Sequence, residues 1–223
     1  MPANRLIIAI DGPSGSGKSS TAREVARRLS LGYLDTGAMY RAVTVAFLDS
    51  GVDPADTAGV IAATTAADVR LSLDPDDWWI SVNGRAVSTE IREPRTSAMV
   101  STVATIPECR ADLVSRQRVL MDSDPRGVVA EGRDITTVVY PDADVRILLT
   151  ASEEARLARR GGELAGRVSE AELRDQVLRR DADDSLLVNF TDAADGVKHL
   201  DTSEFSFAEV VDTVLALVAE VRR

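Results

Sequence analysis

Lys18 and Ser19 end a glycine-rich run whose residue types and spacing suit the binding of phosphate groups. Residues 12–19 read Gly-Pro-Ser-Gly-Ser-Gly-Lys-Ser and match the G-x-x-x-x-G-K-[S/T] phosphate-binding loop. Glycines let the backbone turn its N–H groups toward an anion, Lys18 can reach the β- and γ-phosphates, and the Ser19 hydroxyl can bind Mg²⁺. The sequence therefore predicts an ATP site. We expect its residues to be Gly12, Pro13, Ser14, Gly15, Ser16, Gly17, Lys18, Ser19 and Ser20.

The segments around this loop have the patterns of a strand and a helix that could hold it. An apolar run at 6–10 precedes the loop, and apolar residues recur at helical spacing through 22–29. The helix would point its positive N-terminal end at a bound phosphate. Only two of the 26 basic residues are lysines, and one of them is Lys18. A chance glycine-rich turn accounts for these features less well than a phosphate site.

Length and composition limit the class of protein. The 223 residues suffice for one α/β core with a small insertion. The formal net charge of −10 argues against nucleic acid as a partner. Because a nucleotide is also an anion, we expect arginines to be concentrated in the cleft that binds it. The chain shows no apolar run of membrane-spanning length and no leader pattern. We expect a cytoplasmic monomer with no membrane partner.

Two residue types that occur once narrow the chemistry further. Cys109 is the single cysteine, so no internal disulfide can form, and we interpret it as a packing residue. His199 is the single histidine and lies in an apolar segment, where a packed or partly exposed side chain is the simpler interpretation. Catalysis through histidine is therefore disfavoured.

Short apolar runs alternate with helical patterns along most of the chain, which indicates a mainly parallel sheet of five strands covered by helices. The strands are predicted at 5–11, 32–35, 127–131, 144–149 and 197–201. The helices are predicted at 18–30, 38–50, about 95–105, 108–122, 153–160, 169–184 and 206–222. With the phosphate loop after the first strand, this order predicts an α/β P-loop NTPase fold of three layers, α/β/α.

Two regions interrupt the alternation. Residues 69–91 contain strand-like runs around Asn83-Gly84, a strong signal for a two-residue hairpin, and predict a small antiparallel insertion packed by Trp78 and Trp79. Residues 161–186 open with two glycines and continue as a charged helical pattern, which is typical of a mobile lid. A solvated surface helix is the alternative interpretation of that second region.

A second set of polar residues follows two other predicted strands. Residues 35–41 read Asp-Thr-Gly-Ala-Met-Tyr-Arg, and residues 131–134 read Glu-Gly-Arg-Asp. Ligands of open α/β sheets bind at the carboxyl ends of strands, so these residues are candidates for a second anion site. Helix capping by Asp35 and Thr36, and a structural ion pair of Arg133 with Asp134, are the alternatives. The chain lacks the Asn-Lys-x-Asp motif of GTPases and the Leu-Ser-Gly-Gly-Gln motif of transport ATPases.

Taken together, these motifs resemble those of the bacterial cytidylate kinase family. The resemblance includes the phosphate loop, Leu34-Asp35-Thr36-Gly37-Ala38-Met39-Tyr40-Arg41, Arg110 before Arg116-Gln117-Arg118, and 131–143. It continues through 179–181 and 201–203 and so covers nearly the whole chain. It implies transfer of the γ-phosphate of ATP, with Mg²⁺, to CMP or dCMP.

The resemblance also implies the role of each matching residue and the division of the chain. Family positions that contact the cytidine nucleotide correspond to Thr36, Arg41, Ser101, Arg110, Arg133, Asp134, Arg180 and Asp184. Among them, Ser101, Arg110 and Asp134 correspond to groups that recognise cytosine, and Arg41 and Arg133 to groups that hold the acceptor phosphate. Lys18, Arg41, Arg133 and Arg180 are the implied catalytic set, and Arg159 or Arg160 are further candidates to cover the transferred group. The single domain, 1–223, would comprise a core (1–62, 92–160 and 187–223), a nucleoside-monophosphate insertion (about 63–91) and a lid (about 161–186).

The sequence departs from the family pattern at residues that bear on acceptor binding. Leu187 stands where an arginine of the lid is common, and Thr136 stands where a glycine is usual and should stiffen the turn after Asp134. The segment before the predicted lid helix is also short. Two other functions stay open at this point: a P-loop kinase for another small acceptor such as UMP, AMP or a metabolite, and an ATP-dependent switch.

Overall fold

The computed structural model describes residues 5–164 and 192–222, and its centre is a five-stranded parallel sheet with the order β2-β6-β1-β7-β8. A separate three-stranded antiparallel sheet has the order β3-β4-β5. The strands are β1 (Leu6–Asp11), β2 (Gly32–Asp35), β3 (Val69–Leu71), β4 (Ile80–Val82), β5 (Arg85–Ala86), β6 (Gly127–Gly132), β7 (Val145–Thr150) and β8 (Lys198–Asp201). All five predicted core strands are confirmed.

Seven helices surround these sheets in the described part of the chain. They are α1 (Lys18–Leu29), α2 (Thr36–Ser50), α3 (Thr57–Thr65), α4 (Pro94–Ala104), α5 (Pro107–Ser123), α6 (Glu153–Leu164) and α7 (Phe207–Val221). A 3₁₀ turn covers Glu90–Arg92, and a π-type turn covers Ile135–Val139.

The side chains of β1 show why the sheet is covered on both faces. Leu6, Ile8 and Ile10 pack in one apolar cluster with α1 and α7, whereas Ile7 and Ala9 pack in a second cluster with α2, α3 and α5. Every residue of β1 is buried. A strand buried on both faces has the continuous apolar run from which it was predicted, and the three-layer α/β/α arrangement is confirmed.

The helix predictions differ from the structure at α3 and at α6. Helix α3 was not predicted, because its Ala- and Thr-rich sequence has no apolar stripe; its signal was the cap at Asp56, which accepts from the N–H of Gly59. Helix α6 continues to Leu164 instead of ending before Gly161-Gly162. The predicted helix at 169–184 lies outside the described residues.

The antiparallel insertion forms around its predicted turn. Asn83 and Gly84 have φ values of 49° and 78°, the left-handed conformation that a two-residue hairpin requires. Trp78 is partly buried against the apolar clusters of both faces of the main sheet, and the guanidinium groups of Arg23 and Arg92 each lie 5.9 Å from the centroid of its ring. Trp79 is 44% exposed, so its predicted packing role is only partly met. Among the described helices, none has the length and apolarity needed to cross a bilayer.

Candidate active site

The phosphate loop occupies residues 12–17, between the end of β1 and the start of α1. Gly15 and Gly17 have φ values of 79° and 89°, which other residues rarely adopt. A Cβ on Gly15 would lie 2.9 Å from the carbonyl oxygen of Arg156. Helix α1 begins at Lys18 without a side-chain cap and without an acid in its first turn. Its first N–H groups are therefore suited to bind an anion.

Lys18 and Ser19 extend from this helix toward one buried carboxylate, that of Glu131 at the end of β6. The Ser19 hydroxyl donates to Glu131 Oε1 over 2.7 Å, and Lys18 Nζ lies 4.0 Å from Oε2. Burial, and then the nearby charge of Asp35, raise the pKa of Glu131 to about 7, while Lys18 opposes the rise. The sequence identifies Glu131 as one of the candidates for a second anion site, at 131–134, and predicts no part for it in the donor site. The signal was an acid at the carboxyl end of a strand that proves to pair with β1, with Ile10 opposite Glu131.

The Ser19–Glu131 pair fits Mg²⁺. Hydroxyl and carboxylate oxygens are ligands that this ion prefers, and in nucleotide sites it takes few protein ligands because phosphates and water supply the rest. The described residues contain no cluster of three or more His, Cys, Asp or Glu side chains that could hold a metal by themselves.

Arg133 connects the second set of polar residues to the phosphate loop. Its Nη1 donates to the carbonyl oxygen of Gly12 over 2.8 Å. The predicted partner in acceptor binding, Arg41, instead donates to the carbonyl oxygen of Ile91 and to Ser97 Oγ, both over 2.8 Å. Arg41 is therefore anchored to the segment that follows the antiparallel sheet, and Arg133 to the loop.

The predicted base-recognition residues Arg110 and Asp134 meet in an ion pair, with Arg110 Nη2 2.5 Å from Asp134 Oδ2. The Asp134 side chain is nearly buried, and that of Arg110 is partly exposed. Tyr40, for which the sequence predicts no role, lies near both of these charged groups. Burial, and then the charge of Asp134, raise the pKa of Tyr40 to about 12, while Arg110 opposes the rise. The buried Tyr40 hydroxyl has no hydrogen-bond partner among the described residues.

Of the other residues predicted to contact the acceptor, the structure describes Thr36 and Ser101. Thr36 is buried and its hydroxyl donates to the carbonyl oxygen of Glu131 over 2.8 Å, which joins β6 to the start of α2. Asp35 caps α2 by accepting from the N–H of Ala38, which is the alternative interpretation of this residue given above. Ser101 lies on α4, which packs against α5, the helix of Arg110. Arg180, Asp184 and Leu187 lie outside the described residues.

Two arginines of α6 donate to backbone carbonyl oxygens of the phosphate loop. Arg156 Nη1 donates to the carbonyl oxygen of Ser14 over 3.0 Å. Arg159 Nη1 donates to the carbonyl oxygen of Ser16 over 3.2 Å and to Thr202 Oγ1 over 2.9 Å. The predicted concentration of arginines thus lies around the loop, although the chain as a whole is acidic.

Asp11, the last residue of β1, connects the loop to the turn that follows Arg133 and Asp134. It is 2% exposed and accepts from the N–H of Ile135 (2.9 Å), the N–H of Thr136 (2.8 Å) and Thr136 Oγ1 (2.7 Å). Burial raises the pKa of Asp11 to about 6, and the hydrogen bonds from Thr136 and Ile135 oppose the rise. The sequence does not predict this contact, which joins residues more than 120 positions apart.

Comparison with known proteins places this geometry in a family. The family model described as "Cytidylate kinase" matches residues 8–220. A cytidylate kinase of Cutibacterium acnes is 45% identical over 98% of both chains. Those of Corynebacterium efficiens and Mycobacterium avium are 47% and 46% identical, over 97% and 96% of this chain and 96% of each relative.

A solved structure shares the overall architecture at low sequence similarity. An uncharacterised protein from Eubacterium ventriosum aligns with a TM-score of 0.52 at 9% identity, over 96% of this chain and 99% of the other. At this identity the likeness bears on the fold alone.

Proposed function

The chain belongs to the cytidylate kinase family and transfers the γ-phosphate of ATP to CMP or dCMP, and we propose that the residues around Gly12 and Arg133 perform this transfer. The observation that carries the assignment is the hydrogen bond between Arg133 and the Gly12 carbonyl oxygen. It places a guanidinium suited to an acceptor phosphate directly against the loop suited to the donor. An ATP-dependent switch needs no second anion site, whereas a kinase with an anionic acceptor does.

On the donor side, residues 12–20 bind the triphosphate. The Lys18 ammonium and the first N–H groups of α1 contact the β- and γ-phosphates. Ser19 and Glu131 would hold Mg²⁺, which supplies positive charge that offsets the charge of the phosphates. Arg156 and Arg159 keep the loop in shape through the carbonyl groups of Ser14 and Ser16.

On the acceptor side, Arg41 and Arg133 bind the monophosphate in the fork geometry that guanidinium groups allow. Ser101, Arg110 and Asp134 contact the cytosine ring, because an acid and two donors complement its amino group and its ring and carbonyl acceptors. Thr36 contributes to the same subsite. Arg180 and Asp184 complete it from the predicted lid.

The reaction itself requires positioning more than proton transfer. An anionic oxygen of the acceptor phosphate attacks the γ-phosphorus in line, the bond from that phosphorus to the bridging β–γ oxygen breaks, and ADP leaves. The attacking oxygen carries no proton, so no general base is needed. Lys18, Arg41, Arg133 and Arg180 neutralise charge along this path, and exclusion of water prevents hydrolysis of ATP.

The remaining expectations extend the proposal beyond the site. They include the division into a core, an insertion at about 63–91 and a lid at about 161–186, a monomeric state, and a cytoplasmic location. They also include a role in pyrimidine nucleotide metabolism with small nucleotides as partners and neither nucleic acid nor membrane. The net charge of −10 supports the exclusion of nucleic acid.

A coupled assay of ADP release tests the function directly. ATP and Mg²⁺ are supplied with CMP, dCMP, UMP, AMP or shikimate as acceptor, and we expect the highest kcat/KM with CMP or dCMP. A higher kcat/KM with another acceptor would contradict the assignment of Arg110 and Asp134 to cytosine. ATP binding without stimulation by any of these acceptors would favour a nucleotide-dependent switch.

A further inference from the structure

We propose that Asp11 is a positioning residue that holds the 133–136 turn against the phosphate loop, and that Thr136 provides part of this hold in this chain. The proposal rests on the proposed function, because it concerns how Arg133 and Asp134 are presented to the acceptor. Asp11 itself does not touch a reacting atom. It acts through the backbone of the residues that follow Asp134.

The turn that follows Asp134 requires a hydrogen-bond acceptor from elsewhere in the chain. In the π-type turn Ile135–Val139, the N–H groups of Val138 and Val139 donate to the carbonyl oxygen of Asp134. The first N–H groups of a helical turn have no acceptor within the turn. Those of Ile135 and Thr136 are satisfied by the two carboxylate oxygens of Asp11. A residue of β1 therefore caps a turn that follows β6.

This cap closes a ring of contacts that contains both the phosphate loop and the residues proposed for the acceptor. Asp11 precedes Gly12, and the Gly12 carbonyl oxygen accepts from Arg133. The Asp11 carboxylate accepts from Ile135 and Thr136, which follow Arg133 and Asp134. The consecutive residues Asp11 and Gly12 thus contact both ends of the segment 133–136. Arg133 and Asp134 cannot shift relative to the loop without breaking one of these contacts.

Thr136 contributes a further donor to the contact with Asp11. Its hydroxyl donates to Asp11 Oδ2 over 2.7 Å, in addition to its N–H, and both groups are buried. A glycine at this position would offer only its N–H. The hydroxyl therefore gives the carboxylate a third donor, which favours the ionised form that can accept all three bonds.

The charged groups that face Asp11 define how pH should affect the contact. Asp134 raises the pKa of Asp11, although less than burial does. Arg133 and Asp192 line one small cavity with Asp11, and Arg146 of β7 donates to the carbonyl oxygen of Thr136. Since hydrogen bonds to a carboxylate lower its pKa, loss of the Thr136 hydroxyl should raise the pKa of Asp11 above its value of about 6.

The test compares Thr136→Val, which removes the hydroxyl at nearly constant shape, with Thr136→Ser, which keeps it. Thr137→Val is the matched control, because Thr137 is the exposed neighbour of Thr136. For Thr136→Val we expect KM for CMP to rise about fivefold, with KM for ATP changed less than about twofold. The acid limb of kcat/KM for CMP should move to higher pH by about one unit. Thr136→Ser and Thr137→Val should behave as the unchanged protein does.

The outcomes separate this proposal from the proposed function. Other groups that titrate near neutral pH, including Glu131 and the CMP phosphate, are common to all variants, so the difference between Val and Ser at position 136 reports on Asp11. Equal increases in KM for ATP and CMP, or equal acid limbs for the two variants, would overturn the positioning role. If the unchanged protein shows no CMP-stimulated ADP release, the proposed function fails and the positioning role fails with it. Asp11→Asn, checked first for folding by circular dichroism, should raise KM for CMP more than Thr136→Val does, and it should remove the part of the acid limb that belongs to Asp11.

Discussion

Arg133 Nη1 lies 2.8 Å from the carbonyl oxygen of Gly12, so the arginine proposed to bind the acceptor phosphate is bonded to the first residue of the donor loop. The register of β1 and β6 makes this contact possible, because Asp11 and Gly132 are paired and the next residues leave the sheet together. The backbone pairing of β1 with β6 thereby sets the position of Arg133 relative to the phosphate loop.

Loss of the Lys18 ammonium should remove most of the catalytic activity. For Lys18→Ala we expect kcat to fall by at least about 100-fold, because the substitution removes a positive charge where negative charge is stabilised in the transition state. The coupled ADP-release assay with CMP measures this. Lys198→Ala is the matched control, since Lys198 is the other lysine and is exposed on β8. Substantial activity in Lys18→Ala would refute the assignment of the donor site.

Arg41→Ala should impair use of the acceptor rather than of ATP. Loss of a guanidinium that binds a phosphate predicts an increase in KM for CMP of about 10- to 100-fold. ATP hydrolysis measured without CMP should be unchanged. Arg70→Ala serves as control, because Arg70 is exposed and pairs with Asp68 on the surface. An unchanged KM for CMP in Arg41→Ala would remove Arg41 from the acceptor site.

Asp134→Asn should weaken discrimination between cytosine and uracil. The amide keeps the shape of the side chain but can donate to a carbonyl oxygen, and it loses the charge that pairs with Arg110. We expect the ratio of kcat/KM for CMP to that for UMP to fall by about 10-fold or more. Asp112→Asn, which breaks the ion pair of Asp112 with Arg116 on α5, is the control. A ratio that falls equally in both variants would contradict a role of Asp134 in base recognition.

Glu131→Gln should change the Mg²⁺ requirement. The substitution leaves an acceptor for Ser19 but removes the carboxylate charge, so the Mg²⁺ concentration for half-maximal activity should rise by about 10-fold. Activity is titrated with Mg²⁺ at fixed, saturating ATP and CMP. Glu154→Gln, at an exposed position in the first turn of α6, is the control. Identical Mg²⁺ titrations for the two variants would place the metal elsewhere.

The sequence predicted the features that local patterns encode. Buried strands have continuous apolar runs, the loop has a fixed motif, and Asn83-Gly84 determines a turn through its own backbone preferences. The contacts that define the site could not be predicted in this way. The hydrogen bonds that Thr136 donates to Asp11 and that Ser19 donates to Glu131 each depend on β6 lying beside β1, and strand order is not encoded in any one segment. Tyr40 was missed for a related reason, since its surroundings include α5 and the turn after β6.

The contacts of the carbonyl groups in the phosphate loop bear on how ATP binds. Those of Gly12, Pro13, Ser14 and Ser16 accept from Arg133, Lys18, Arg156 and Arg159, which come from three different helices or turns. A backbone whose carbonyl groups are engaged by surrounding cations keeps its curvature without help from a nucleotide. Little of the free energy of ATP binding should then be consumed in ordering the loop. We expect ATP to bind a loop that already has its nucleotide-binding conformation, without the folding of a flexible segment.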